Sequence, residues 1–113
     1  DGTNIRDYVH VKDLADAHIR GLKHLLGGGE STSFNLGTGN GYSVKEVIDT
    51  AEKVSGKKAP VVYEGRRPGD APALWADSTK AKTELGWDPQ YSDLETIVST
   101  AWAWEQKRLE LGY

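Results

Sequence analysis

Ile5, Asp7, Val9 and Val11 alternate with Arg6, Tyr8 and His10, and then Leu14, Ala15, His18, Ile19, Leu22, Leu25 and Leu26 recur at helical spacing. The apolar period changes from 2 to 3.6 within a few residues, which predicts a strand running into a helix capped by Asp13. Gly27-Gly28-Gly29 ends that helix. Ser33-Phe34-Asn35-Leu36 predicts a short strand before the glycine-rich turn Gly37-Thr38-Gly39-Asn40-Gly41. Ser43-Val44-Lys45-Glu46 forms a capping box, with Val44, Val47, Ile48, Ala51 and Val54 as the apolar stripe and Gly56 as the stop. Val61-Val62-Tyr63 predicts a third strand after Pro60, followed by the basic turn Arg66-Arg67-Pro68-Gly69-Asp70. Asp77 or Ser78 caps a short helix through Leu85, which Gly86 closes. Ser92-Asp93-Leu94-Glu95 reads as a second capping box, and its helix carries Leu94, Ile97, Val98, Ala101, Trp102, Glu105 and Leu109 on one side. Strands and helices alternate throughout, so the expected class is α/β.

The composition narrows the function classes. The chain has 113 residues, 37% of them hydrophobic and 27% charged, with a formal net charge of −3. That is enough for one globular domain and too apolar for disorder. An acidic balance argues against a nucleic-acid role. No run approaches the roughly 20 apolar residues of a membrane span, and with no Cys there is neither a disulfide framework nor a Cys-based zinc site. A cytoplasmic enzyme or binding domain is the expectation. An opening on Asp1-Gly2-Thr3, with no Met anywhere, points to a piece of something longer.

Two local patterns invite overreading. Gly37-x-Gly39-x-Gly41 lies between a predicted strand and a predicted helix, where a dinucleotide fingerprint belongs, and Glu64 could serve as its ribose-binding acid. The third Gly should fall at position 42, which is Tyr42, so a turn needing glycine for positive φ is the plainer reading. Tyr8-x-x-x-Lys12 matches the catalytic pair of short-chain dehydrogenases, but on a strand its members would stand about 13 Å apart. That excludes them as a pair, and Tyr8 reads as a packing residue. His10 and His18 lie within patterned elements without a partner at ligand spacing, and neither is assigned a role.

Arg6-Asp7-Tyr8-Val9-His10-Val11, with Asp13-Leu14-Ala15-Asp16-Ala17, resembles the extended short-chain dehydrogenases that act on nucleotide sugars, the UDP-glucose 4-epimerase family in particular. The resemblance continues through Phe34-Asn35-Leu36-Gly37, Ser43-Val44, Arg66-Arg67-Pro68-Gly69-Asp70, Ala76-Asp77-Ser78-x-Lys80-Ala81 and Glu84-Leu85-Gly86-Trp87. It covers almost the whole chain in order. It implies that Arg6 and Arg67 hold the diphosphate of a UDP-sugar, that Asp70 meets the uridine ribose, and that Val44 lines the nucleotide pocket. The chemistry agrees, because planar, permanently charged donors arriving from two directions can clamp a diphosphate. The plainer alternative pairs Arg6 with Asp7 and Arg67 with Glu64 at the surface. One departure concerns Leu74, where some relatives carry a Tyr that contacts the nucleotide; Trp75 follows it.

The resemblance also implies what lies elsewhere. The family's NAD-binding glycine turn and its helical Tyr-x-x-x-Lys precede the region matched here, so residues 1–113 are expected to be the C-terminal, substrate-binding portion. No catalytic and no cofactor-binding residue is expected in this chain, and none for a metal. Alone it should be inactive, with NAD bound only by the parent protein. Residues from about 13 to 37 should pack on the NAD domain, and without it the chain should self-associate. The parent is expected to be a homodimer that interconverts UDP-glucose and UDP-galactose. A nucleotide-sugar dehydratase, decarboxylase or UDP-glucuronate epimerase of the same family, or a binding module without chemistry, are the competing readings.

Overall fold

The computed structural model describes residues 2–65 and 67–113. Asp1, the first residue of the expected opening turn, and Arg66, part of the basic turn, lie outside the described residues. The elements are β1 (Ile5–Arg6), α1 (Val11–Leu26), β2 (Tyr42–Ser43), α2 (Val44–Ser55), β3 (Ala73–Leu74), α3 (Thr79–Leu85) and α4 (Leu94–Glu110). β1 is central in the sheet order β2-β1-β3. It runs antiparallel to β2, with Ile5 opposite Ser43, and parallel to β3, with Ile5 opposite Ala73.

The four helices stand close to expectation. Ser43 and Glu46 form the reciprocal capping box of α2, and Gly56 ends it at φ +70°. Ser78 precedes α3, and Gly86 closes it at φ +64°. Both glycines occupy the left-handed region that other residues enter only under strain. Two caps differ. α1 starts at Val11, with the His10 imidazole accepting from the Lys12 amide, so Asp13 sits in the first turn instead of capping. α4 is capped by Asp93, whose carboxylate accepts from the amide and hydroxyl of Thr96 at 3.0 and 2.8 Å. Ser92 is occupied elsewhere: its hydroxyl donates to Asp13 and accepts from the His10 amide at 3.0 Å.

The strands depart further. The alternation over Ile5–Val11 yields only the two residues of β1, and neither Phe34–Leu36 nor Val61–Tyr63 joins a ladder. Phe34 and Leu36 keep their apolar role. With Val9 and Leu85 they pack against the buried cluster of Ala17, Ala81 and Trp87. Side chains take up the backbone around them. Lys80 Nζ donates to the Ser33 carbonyl at 3.0 Å, and the Ser78 hydroxyl to that of Gly37 at 2.8 Å. Val61, Val62 and Tyr63 are exposed. Alternation cannot by itself supply a neighbouring strand.

Trp87, 1% exposed, is the largest side chain of the core. Its indole N–H donates to the Asp13 carbonyl at 2.9 Å, and the Asp13 carboxylate accepts from the amides of Gln90 and Tyr91 at 2.9 Å each. α1 is thereby bolted to the segment that leads into α4, and α4 packs against α2. The outer side of α1 is different: Val11, Ile19, Leu22, Leu25 and Leu26 are all more than half exposed. The radius of gyration, 16.9 Å, exceeds the roughly 13 Å of a compact domain of about this length.

Trp87→Ala should cost about 3–5 kcal/mol, because it empties the cluster's centre and strands the Asp13 carbonyl; chemical denaturation reads the loss. Asp93 gives a pH signature. The Thr96 hydroxyl, and after it the Thr96 amide, hold its carboxyl below the usual 3.8. A lowered folded value means the cap's contribution is complete above the unfolded value and disappears as the pH falls through the folded one. Amide protection in the first turn of α4, taken relative to the intrinsic exchange rate at each pH, should therefore fall as the solution is acidified below 3.8, and Asp93→Asn should flatten that dependence.

Candidate functional site

Arg6, the last residue of β1, aims its guanidinium at Asp70. Nη2 lies 3.1 Å from Oδ1, and Nη1 donates to the Ile5 carbonyl at 2.7 Å. Arg67 reaches the other oxygen of the same carboxylate at 3.4 Å. The turn between them brings Arg67 and Asp70 together, with the Asp70 amide donating to the Arg67 carbonyl at 3.2 Å and Gly69 at φ +81°. One carboxylate thus holds two guanidiniums separated by some sixty positions of sequence, with a local charge of +1. Arg67 stands 84% exposed at the outer side, while Arg6 and Asp70 are largely covered.

These groups border an open groove of about 490 Å³. Arg67, Asp70 and Glu64 form its charged side, and Val44, Ile48 and Tyr63 its apolar side. Val44 is the first residue of α2, placed there by the Ser43 cap. Three of the four residues expected at the site, Val44, Arg67 and Asp70, line one groove, and the fourth, Arg6, is paired with Asp70. The alternative pairings do not occur: Arg6 goes to Asp70 and not to Asp7, and Arg67 goes to Asp70 and not to Glu64.

Asn4, Ile48 and Tyr63 also line the groove, and sequence reasoning missed all three. Tyr63 read as a strand residue; nothing in its local pattern marks it as a groove wall. Leu74 and Trp75 are both exposed, and neither is among the residues lining the groove.

The glycine-rich turn does not fit a dinucleotide. Its N–H groups face a carboxylate from within the chain: Asp7 accepts from the amide of Thr38 at 2.9 Å, the amide of Gly39 at 3.1 Å and the hydroxyl of Thr38 at 2.9 Å. The Ala76 amide adds a fourth donor at 3.3 Å. A Cβ on Gly37 would lie 2.5 Å from Asp7 Oδ2, so glycine serves close approach there. Tyr8 precedes α1 and Lys12 lies in its first turn, with Lys12 Nζ 4.6 Å from the Tyr91 ring centre. His10 is the α1 cap, and His18 bonds the Leu14 carbonyl one turn back. Both histidines are structural. Among the described residues no His, Asp and Glu group could hold a metal, and no helix is long and apolar enough to cross a membrane.

Comparison with known proteins adds the family. The model described as GDP-mannose 4,6 dehydratase matches residues 1–100. The UDP-glucose 4-epimerase of Rhizobium leguminosarum bv. trifolii is 53% identical over 107 residues, which is 95% of this chain and 32% of that relative. A crystal structure of a UDP-glucose 4-epimerase matches with a TM-score of 0.92 at 52% identity, covering 100% of this chain and 34% of that one. The UDP-glucose 4-epimerase of Bifidobacterium longum, solved with NAD+ and UDP, matches with a TM-score of 0.82 at 40% identity, over 96% and 32% of the two chains. The chain spans about a third of the length of the curated relatives it matches. These neighbours bear out the α/β class and the extended short-chain dehydrogenase architecture expected from the sequence.

Proposed function

The chain belongs to the GDP-mannose 4,6 dehydratase family, and on that premise we propose that it is the UDP-sugar-binding, C-terminal portion of an NAD-dependent UDP-glucose 4-epimerase. The observation that carries this reading is the arginine pair gathered on one carboxylate beside a groove with an apolar wall. Arg6 and Arg67 bind the diphosphate, Asp70 accepts from the ribose hydroxyls, and Val44 packs against the nucleoside.

The charge arithmetic supports those roles. Each guanidinium offers five N–H donors; Arg6 spends one on Asp70 and one on the Ile5 carbonyl, and Arg67 one on Asp70, so most of the donor capacity remains for phosphate oxygens. A net charge of +1 attracts a dianion without the cost of two unpaired cations crowded together. When the ribose engages Asp70, both guanidiniums are released toward the diphosphate. In this reading NAD supplies hydride exchange at the sugar, and it is held by the remainder of the whole protein, because the glycine turn here is filled by Asp7. This chain's residues bind and orient the substrate; by itself the chain is inactive.

The exposed α1 stripe supports a second part of the proposal. Ile19, Leu22 and Leu26 would leave a contiguous apolar strip in water, larger than isolated surface residues explain. They pack against the NAD domain of the whole protein, which we read as a cytoplasmic homodimer on the family resemblance.

In the full-length protein, Arg6→Ala and Arg67→Ala should each lower kcat/KM for conversion of UDP-galactose to UDP-glucose by about 10- to 100-fold, the equivalent of one charged hydrogen-bonded contact. Retained NAD without any conversion would move the activity to another member of the family. Neither NAD nor turnover would leave a binding module. Leu22→Asp should reduce the NAD that co-purifies and lower the thermal midpoint; a solvated stripe would tolerate the change.

A further inference from the structure

The carboxylate of Asp7 is the best-satisfied acid beside the site, yet it lines no part of the groove. Its donors come from two separate segments: Thr38 and Gly39 of the glycine turn, and Ala76 just after β3. Asp7 itself follows β1. Three chain segments therefore converge on one ion. The residue immediately before it is Arg6, whose side chain goes to a different partner, Asp70.

We infer that Asp7 is the positioning residue for Arg6: its carboxylate, seated among the donors of Thr38, Gly39 and Ala76, fixes the direction in which Arg6 presents its guanidinium to the diphosphate. The inference rests on the reading of Arg6 as a diphosphate ligand. β1 has only two residues, so its ladder alone constrains the Arg6 backbone weakly. The clamp at Asp7 immobilises the next Cα, and a guanidinium must be held to a fraction of an ångström for a bidentate contact to keep its strength. The clamp also has to be anionic. Oδ2 faces N–H groups of Thr38, Gly39 and Ala76 at 3.1, 3.1 and 3.3 Å. An amide in its place would point NH2 either at these donors or at the Thr38 amide and hydroxyl on the Oδ1 side.

A double-mutant cycle on UDP affinity, measured by calorimetry with the full-length protein, tests this. Arg6→Ala should weaken UDP binding, and Asp7→Asn should weaken it by about tenfold. The double variant should be no weaker than Arg6→Ala alone, because Asp7 acts only through Arg6. Losses that add would overturn the inference, since they would assign Asp7 a general structural role. Asp7→Asn binding UDP as the unaltered protein does, while Arg6→Ala weakens it, would also overturn the inference and leave the diphosphate reading standing. An Arg6→Ala variant without effect would overturn both. Should Asp7→Asn fail to fold, Thr38 carries the test. Thr38→Val removes one donor to Asp7 and should weaken UDP binding several-fold, whereas Thr38→Ser restores it. Equal affinity in the two variants would overturn the inference.

Discussion

The buried carboxylate of Asp13 is the point through which most of the chain is connected. It accepts the amides of Gln90 and Tyr91 and the hydroxyl of Ser92, while its own carbonyl receives the indole N–H of Trp87. A buried anion is tolerable only when donors surround it, and removing any one of them exposes a desolvation cost larger than the bond itself. The start of α1 and the segment before α4 are consequently inseparable. Through the packing of α4 on α2, the same junction supports the helix whose first residue, Val44, forms a wall of the groove. A core of few large side chains depends on such polar bolts more than a well-filled one does.

Two more acids repeat the device at the site. Asp7 gathers the donors of Thr38, Gly39 and Ala76, and Asp70 gathers Arg6 and Arg67. Each carboxylate joins segments far apart in sequence, so each replaces the ordering that a longer sheet would have supplied. Their chemical roles differ. The Asp7 contacts are amide and hydroxyl donors held at fixed positions, which makes a permanent joint. The Asp70 contacts are guanidiniums on long side chains; Arg67 is 84% exposed, and an exposed pair of that kind is weak enough to be exchanged for a ligand.

The helices were legible in the sequence because their signals are local. Ser43 with Glu46, Gly56 and Gly86 each satisfy helix-end groups within a few residues, and all hold, whereas the Ser78 hydroxyl before α3 goes to the distant Gly37 carbonyl instead of capping. His10 as the α1 cap was not legible, since histidine is an unusual cap and Asp13 offered a more ordinary one. Ser92 lost its expected cap to Asp93 because its hydroxyl is drawn to Asp13, a partner 79 positions away. The strands failed for the same reason: a period of two specifies two faces but no neighbour. At the candidate site, the resemblance and the demands of a diphosphate singled out Arg6, Arg67 and Asp70, which the structure gathers on one carboxylate, whereas Tyr63 and Asn4 carry no local mark. Their place in the groove is a consequence of chain path alone.

The glycine turn shows how a motif and its chemistry separate. Thr38 and Gly39 present amide hydrogens in the manner of an anion-binding loop, and an anion does sit there. It is Asp7, not a phosphate. The sequence pattern encodes the affinity of backbone N–H groups for negative charge but not its source, and a carboxylate tethered to the adjoining strand binds without the translational cost that any diffusing ligand must meet. An occupied loop of this kind gains rigidity in place of recognition. It lies one residue from Arg6, the arginine proposed to hold the diphosphate, so the rigidity is delivered to that side chain's backbone. The apparent cofactor fingerprint is then best understood as part of the mounting for Arg6 and the strand that carries it.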